Sequence, residues 1–228
     1  MKGCAVSHPS GCDVHSEPFR IPILLDCATT LIWAFSGALV AVRRGLDIMG
    51  VAVIAFVTAL GGGLIRDGLL LHQTPVAVTS PYYLPIIAGT ALMVALLRIR
   101  LEPLTHHRSV DTLDALGMGA YAVVGMQMAM SAGFTAGGVI LTGLINAVGG
   151  GILRDMMVRE VPAILMPSQY YSLSVLAGCV LFWLLAAHHA ASQVQAAWIT
   201  VGFILVLRLL TIRFNWRTRA LHRGGPKP

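Results

Sequence analysis

Residues 60–67 read LGGGLIRD and residues 148–155 read VGGGILRD. One phrase, three glycines followed by two aliphatic residues and an Arg-Asp pair, thus stands twice in the chain at a spacing of 88 residues. Both copies lie inside long apolar stretches. Each glycine costs a helix about 1 kcal/mol relative to alanine, and charges inside an apolar span are expensive as well. A chain that keeps both features twice has a use for them. Its fold must give the two copies equivalent surroundings.

Those surroundings are a membrane. Apolar residues make up 56% of the chain and charged residues 11%, where a soluble protein carries about 25% charge. The mean hydropathy is +0.76. Several runs approach the roughly 20 apolar residues that a hydrocarbon core of about 30 Å requires. They do not alternate every second residue as barrel strands do. The reading is therefore an all-α polytopic membrane protein. Seven transmembrane helices are expected, at 23–42, 47–71, 83–98, 113–131, 137–158, 170–187 and 196–213.

The charge distribution orients these spans. With the N-terminus on one side, the other side receives eleven basic residues: Arg43, Arg44, Arg98, Arg100, Arg108, Arg159, Arg213, Arg217, Arg219, Arg223 and Lys227. Only Lys2 and Arg20 fall on the first side, while Arg66, Arg154 and Arg208 sit within spans. The positive-inside rule then puts the N-terminus outside and the C-terminus in the cytoplasm. The same clustering in short loops explains the net charge of +6 without a nucleic-acid partner.

The repetition extends beyond the glycines. Leu25-Asp26 matches Leu113-Asp114, Gly37 matches Gly125, and Gly50 matches Gly138 at the same spacing. Trp33 corresponds to Tyr121, and Tyr82-Tyr83 to Tyr170-Tyr171. The chain divides into an extracytoplasmic tail (1–22), a three-helix repeat (23–98), a second three-helix repeat (113–187), a seventh helix (196–213) and a basic cytoplasmic tail (214–228). Three spans per repeat is an odd number, so the second repeat enters the bilayer from the opposite side. This is an inverted-repeat architecture of the kind found in transporters and channels, with a pseudo-two-fold axis in the membrane plane.

Within it, Gly61, Gly62, Gly63, Gly149, Gly150 and Gly151 are expected to interrupt or kink their helices beside a permeation path. Close helix packing is the alternative. Arg66, Asp67, Arg154 and Asp155 are candidates for a pore or gate, with structural ion pairing or snorkelling to the interface as the other readings. Adjacent side chains on a helix diverge by about 100°, so Arg and Asp of one pair need not bind each other. Thr58 and Asn146 hold equivalent positions three residues before the glycines and are candidates to line the path. Ser36, Thr135 and Thr142 are weaker candidates of the same kind. Asp26 and Asp114 open the first span of each repeat and read as N-caps, with a second role as acidic vestibule residues.

The remaining reactive residues suggest little chemistry. Cys27 and Cys179 fall in apolar spans and read as core residues. Cys4 and Cys12, with His8 and His15, lie in the polar tail, where a disulfide or a weak metal site is open. His106-His107 and His188-His189 are loop pairs whose rings point apart. No nucleotide-binding or hydrolytic motif is present, so neither an enzyme nor a cofactor is expected.

Two GGGxxRD phrases, each ending the second span of a three-helix repeat and followed by a seventh helix, resemble the prokaryotic trimeric intracellular cation (TRIC) channels. The same family is also labelled a glycine-transporter domain in bacteria. The resemblance covers residues 23–213. It implies a homotrimer in a bacterial inner membrane, with lipid as neighbour and one pore per protomer for potassium or other monovalent cations. It also implies a bend at the glycine triplets, with Arg66, Asp67, Arg154 and Asp155 just beyond. A secondary transporter of glycine or another small zwitterion is the alternative. One departure from symmetry is the basic loop with Arg43, Arg44 and Asp47, which Ala132, Gly133 and Thr135 replace in the second repeat. On the kink reading, Gly62→Ala or Gly150→Ala alters flux and leaves assembly intact.

Overall fold

The computed structural model describes residues 23–166, 170–187 and 192–214. Cys4, His8, Cys12, His15, the His188-His189 pair and the tail after Phe214 lie outside the described residues. The helices are α1 (Ile23–Arg43), α2 (Ile48–Ile65), α3 (Val76–Thr79), α4 (Tyr83–Leu96), α5 (Arg98–Leu101), α6 (His107–Ser131), α7 (Ala136–Met157), α8 (Tyr171–Ala187) and α9 (Gln193–Arg213). A π turn, Arg66–Leu70, continues α2, and a 3-10 turn, Glu102–Thr105, follows α5. Every regular element among the described residues is helical. Ile48–Leu70, Ala136–Met157 and Gln193–Arg213 are each long and apolar enough to cross a bilayer. The segment Arg98–Thr105 turns away from α4 by 87°.

The packing repeats as the sequence does. Helices α1, α2 and α4 touch one another, and so do α6, α7 and α8. The two triangles meet along α2–α7 and α1–α6, and α9 lies against α6 and α8. Inversion is visible in the α2–α7 crossing. Gly62 lies against the backbone of Asn146, and Gly150 against that of Thr58. Later residues of α2 therefore meet earlier residues of α7, and the helices run antiparallel. Thr58 and Asn146 are equivalent positions, as are Gly62 and Gly150. The two contacts are one contact seen twice across a pseudo-two-fold axis. Trp33 and Tyr121, also equivalent, meet near that axis with ring centroids 5.0 Å apart.

The glycines make this crossing possible, and the expected interruption is not at the glycines. The α-helical hydrogen bonding of α2 and α7 runs through both triplets. Inside a bilayer an unpaired backbone amide or carbonyl costs more than the intrinsic helix penalty of glycine. Opposed glycines also let the backbones close together. A Cβ on Gly149 would stand 3.0 Å from Cα of Gly62, and one on Gly61 would stand 3.4 Å from Cα of Gly150. The third glycine differs. A Cβ on Gly63 or on Gly151 would lie 3.8 Å from Nη2 of Arg66 or Arg154, respectively. The first two glycines of each phrase thus face the partner helix, and the third lies beside the guanidinium one turn later at ordinary contact distance.

The irregularity comes after the phrase, and only in the first copy. Eight positions separate Asp67 from Pro75, but seven separate Asp155 from Pro162. A π turn absorbs a single extra residue within a helix, and Arg66–Leu70 does so here. His72 (φ 51°) and Arg159 (φ 59°) then end the two spans in the left-handed region.

A methyl group has no space at the crossing. A Cβ on Gly62 collides with the Asn146 carbonyl oxygen, and one on Gly150 collides with that of Thr58. Gly62→Ala and Gly150→Ala are therefore expected to destabilise the fold by at least about 1–3 kcal/mol, rather than to alter flux with assembly intact. Gly68→Ala, with no neighbour within 4 Å, is expected to melt like the wild type. Thermal unfolding in detergent compares the three.

Candidate functional site: two buried charge clusters

Each Arg-Asp pair is buried and bound to itself. Arg66 Nε donates to Asp67 Oδ1 at 2.7 Å, and Arg154 Nε donates to Asp155 Oδ1 at 2.9 Å. Relative exposures run from 1% for Asp67 to 6% for Asp155, which rules out snorkelling. The arginine side chain is long enough to fold back over the vacant face of the third glycine and reach its neighbour.

The aspartates also hold the loops that follow. Asp67 Oδ2 accepts from the Val76 amide at 3.0 Å, and Asp155 Oδ2 accepts from the Ala163 amide at 3.2 Å. Val76 follows Pro75 and Ala163 follows Pro162, so both copies use one device. The carboxylate caps the first amide after the loop proline. Gln73 Nε2 adds a further donor to Asp67 Oδ1 at 3.2 Å. The signal was in the sequence as RD followed by a proline at nearly equal spacing, and it marks a role the spacing of the glycines alone does not suggest.

Beyond this, the two clusters part. Arg154 Nη1 binds both carboxylate oxygens of Asp114, at 3.1 and 3.0 Å, and the Ser36 hydroxyl at 3.0 Å. Ser36 donates to Asp114 Oδ1 at 2.7 Å. Arg66 Nη1 turns instead to Oδ1 of Asn146, at 3.2 Å. Asn146 is fixed by donating its amide to the Tyr121 carbonyl at 2.6 Å. Thr58, the counterpart of Asn146, spends its hydroxyl on the Ile54 carbonyl at 2.6 Å. It offers Arg154 no amide oxygen. Two differences between the repeats accompany this divergence: Thr58 stands opposite Asn146, and Ser36, which binds Arg154, has Val124 as its counterpart.

Asp26 and Asp114 are not N-caps. Asp26 lies in the first turn of α1, and Asp114 lies well inside α6, which begins at His107. Asp114 is 2% exposed and saturated by Arg154 and Ser36. Asp26 Oδ2 accepts a hydrogen bond from the Tyr83 hydroxyl. Tyr171, the counterpart of Tyr83, instead lies under the Arg208 guanidinium, 4.7 Å from ring centre to Cζ. Arg208 comes from α9, so the last helix contributes to the second cluster. The doubled pattern could not reveal that, because α9 has no counterpart. Thr142 bonds back to the Gly138 carbonyl at 2.8 Å, and Thr135 stands at the N-cap of α7. Neither joins a cluster.

The basic loop has a partner as well. Arg43 Nη2 binds Glu160 Oε1 at 2.8 Å, Arg43 Nη1 reaches the Thr105 carbonyl at 3.5 Å, and Arg44 shares Glu160. These contacts tie the first repeat to the end of α7. Cys27 and Cys179 are free thiols; Cys179 is buried in the core as expected, whereas Cys27 is only partly buried. Among the described residues, no group of three or more His, Cys, Asp or Glu side chains is arranged to hold a metal.

The family model described as "Glycine transporter" matches residues 23–98 and 111–187. The chain belongs to that family. It is 38% identical to a UPF0126 membrane protein of Deinococcus radiodurans, over 84% of this chain and 87% of the relative. It is 33% identical to the UPF0126 inner membrane protein YadS of Escherichia coli, over 88% of this chain and 97% of the relative. A structure solved to explain conductance through TRIC cation channels superposes with a TM-score of 0.81 at 27% identity, covering 90% of this chain and 98% of the other. The TRIC orthologue from Rhodobacter sphaeroides gives a TM-score of 0.76 at 31% identity, over 85% and 97%. The glycine-transporter family and the TRIC channels thus share this fold. The two stretches matched by the family model are the two halves that meet at the glycine crossing.

The second cluster is set apart from the surface ion pairs by burial. Arg154→Gln leaves Asp114 and Asp155 without their cation and is expected to cost about 3–5 kcal/mol. Arg44→Gln, at a side chain 40% exposed, is expected to cost no more than about 1 kcal/mol. Loss of thermal stability in the first variant and its retention in the second is the result to look for.

Proposed function

We propose that this family member is a cation channel for monovalent ions, chiefly potassium, with one path in each protomer beside α2 and α7. One observation carries the reading. Two chains of polar groups stand in an otherwise apolar bundle, one from Asp26 and Tyr83 through Thr30, Tyr121 and Asn146 to Arg66, the other joining Ser36, Asp114 and Arg154. Polar side chains kept at membrane depth mark ion and substrate pathways. The likeness to TRIC channels supports cations as the cargo.

The R. sphaeroides relative is described as a trimeric channel, and we extend that assembly to this chain as a homotrimer in contact with membrane lipid. The E. coli relative is described as an inner membrane protein. We place this chain there too, with seven crossings, the N-terminus outside and the C-terminus in the cytoplasm. The family's description favours a second reading, transport of glycine, and both charges a zwitterion needs are present at Asp26 and Arg66. The inverted repeat suits either activity.

Flux through proteoliposomes separates the two. Potassium current under an imposed voltage, without saturable glycine uptake, is expected. Ion-coupled, saturable glycine uptake without passive current overturns the channel reading.

A further inference from the structure

The two repeats place the same carboxylate in opposite electrostatic states. Asp114 carries a cation of the protein's own, the Arg154 guanidinium, against both of its oxygens. The equivalent arginine of the first repeat is held away by Asn146 and Asp67. Asp26 is left with a neutral partner, the Tyr83 hydroxyl. Among the described residues, no Arg, Lys or His lies within ion-pair distance of Asp26. A carboxylate at the edge of a membrane-spanning bundle is poorly solvated, and a neutral hydroxyl compensates its charge only in part.

The other oxygens nearby belong to neutral groups. Thr30, one turn after Asp26, donates to the Asp26 carbonyl at 2.9 Å, and its hydroxyl lies 3.2 Å from that of Tyr121. The Tyr121 hydroxyl in turn lies 3.2 Å from the Ala59 carbonyl, two residues before Gly61. A carboxylate, three hydroxyls and two carbonyls thus run from the start of α1 to the glycine crossing. Oxygen donors of this kind replace the hydration shell of a hard cation. One formal negative charge suits a monovalent ion, because a divalent one demands more charge around it.

We propose that Asp26, with Tyr83, Thr30 and Tyr121, forms a dwelling site for a partly dehydrated monovalent metal cation in the first repeat. In the second repeat Arg154 occupies the corresponding place as a tethered cation. This rests on the channel reading and adds a residue-level site to it. Asn146 keeps the site vacant of protein charge by holding Arg66, and so makes the path asymmetric along its length.

The test uses the full-length protein in detergent and in proteoliposomes. Potassium and thallium salts are expected to raise the melting temperature above that in N-methyl-D-glucamine chloride at equal ionic strength. Asp26→Asn is expected to abolish this difference and to raise the potassium concentration for half-maximal current about tenfold, the equivalent of one lost charge contact. Tyr83→Phe should shift both in the same direction by less. If Asp26→Asn does not fold, thallium anomalous scattering from wild-type crystals decides the matter, with a peak beside Asp26 expected. A thallium peak only elsewhere, an unaltered cation response in Asp26→Asn, or stabilisation by glycine but not by potassium overturns the site. Absence of any wild-type potassium current overturns the channel reading itself, while the melting and scattering results still judge the binding site.

Discussion

Two backbones approach each other at the centre of this protein closely enough to exclude even a methyl group, and nearly everything else is arranged around that approach. The contact of Gly62 with Asn146 and of Gly150 with Thr58 fixes α2 against α7 in antiparallel register. With that register set, Trp33 meets Tyr121, Arg66 comes within reach of Asn146, and α1 lies along α6. In lipid there is little hydrophobic gain from pressing one apolar helix on another, so dispersion contacts between closely fitted backbones carry the association. Small residues are the means. Gly37 and Gly125 extend the same device within each repeat, since each lies against the position, Thr58 or Asn146, that its own half contributes to the crossing.

The phrase GGGxxRD thereby performs three tasks in seven residues. Its first two glycines make the crossing, and its aspartate binds both the arginine and the loop after the next proline. Burying an arginine in a membrane protein is tolerable only where its charge is met and its donors are satisfied. The adjacent aspartate supplies the charge without relying on another helix. The remaining donors are then available for interactions that differ between the halves, and this is where the two repeats diverge.

Much of the fold could be read from the sequence, because the bilayer imposes its length and polarity on each segment and the repeat supplies a second copy for comparison. The spans expected at 47–71 and 137–158 correspond to Ile48–Leu70 and Ala136–Met157, and the inversion inferred from an odd number of helices is visible in the antiparallel crossing. The state of the glycines was not legible. Helix propensity argues for a break, whereas the cost of bare backbone in lipid argues for continuity, and only the presence of an opposing triplet decides between them. The pairing of each arginine with its own neighbour was one of the open readings, and backbone direction did not favour it. Adjacency on a helix was taken from backbone direction, but a side chain of arginine's length can curl back across a vacant face. Asp114 was read as a cap because the helix start at His107 lies in a polar stretch that hydropathy alone assigns to a loop.

What symmetry cannot encode is function that has a direction, and here the departures from symmetry are few and specific. Thr58 against Asn146 and Ser36 against Val124 both bear on which arginine meets the first-helix carboxylate. Arg208, brought by the unpaired α9, sits over Tyr171 and has no counterpart over Tyr83. The extra residue before Pro75 is absorbed by a π turn and leaves the capped loop in place. The first and third of these changes modify a group that the two-fold axis would otherwise make identical, and the second adds one from outside the repeat. None disturbs the glycine crossing. An inverted repeat can therefore keep its packing symmetric while its two ends acquire different charge states. A tethered guanidinium closes one carboxylate, and among the described residues the other meets only a neutral hydroxyl.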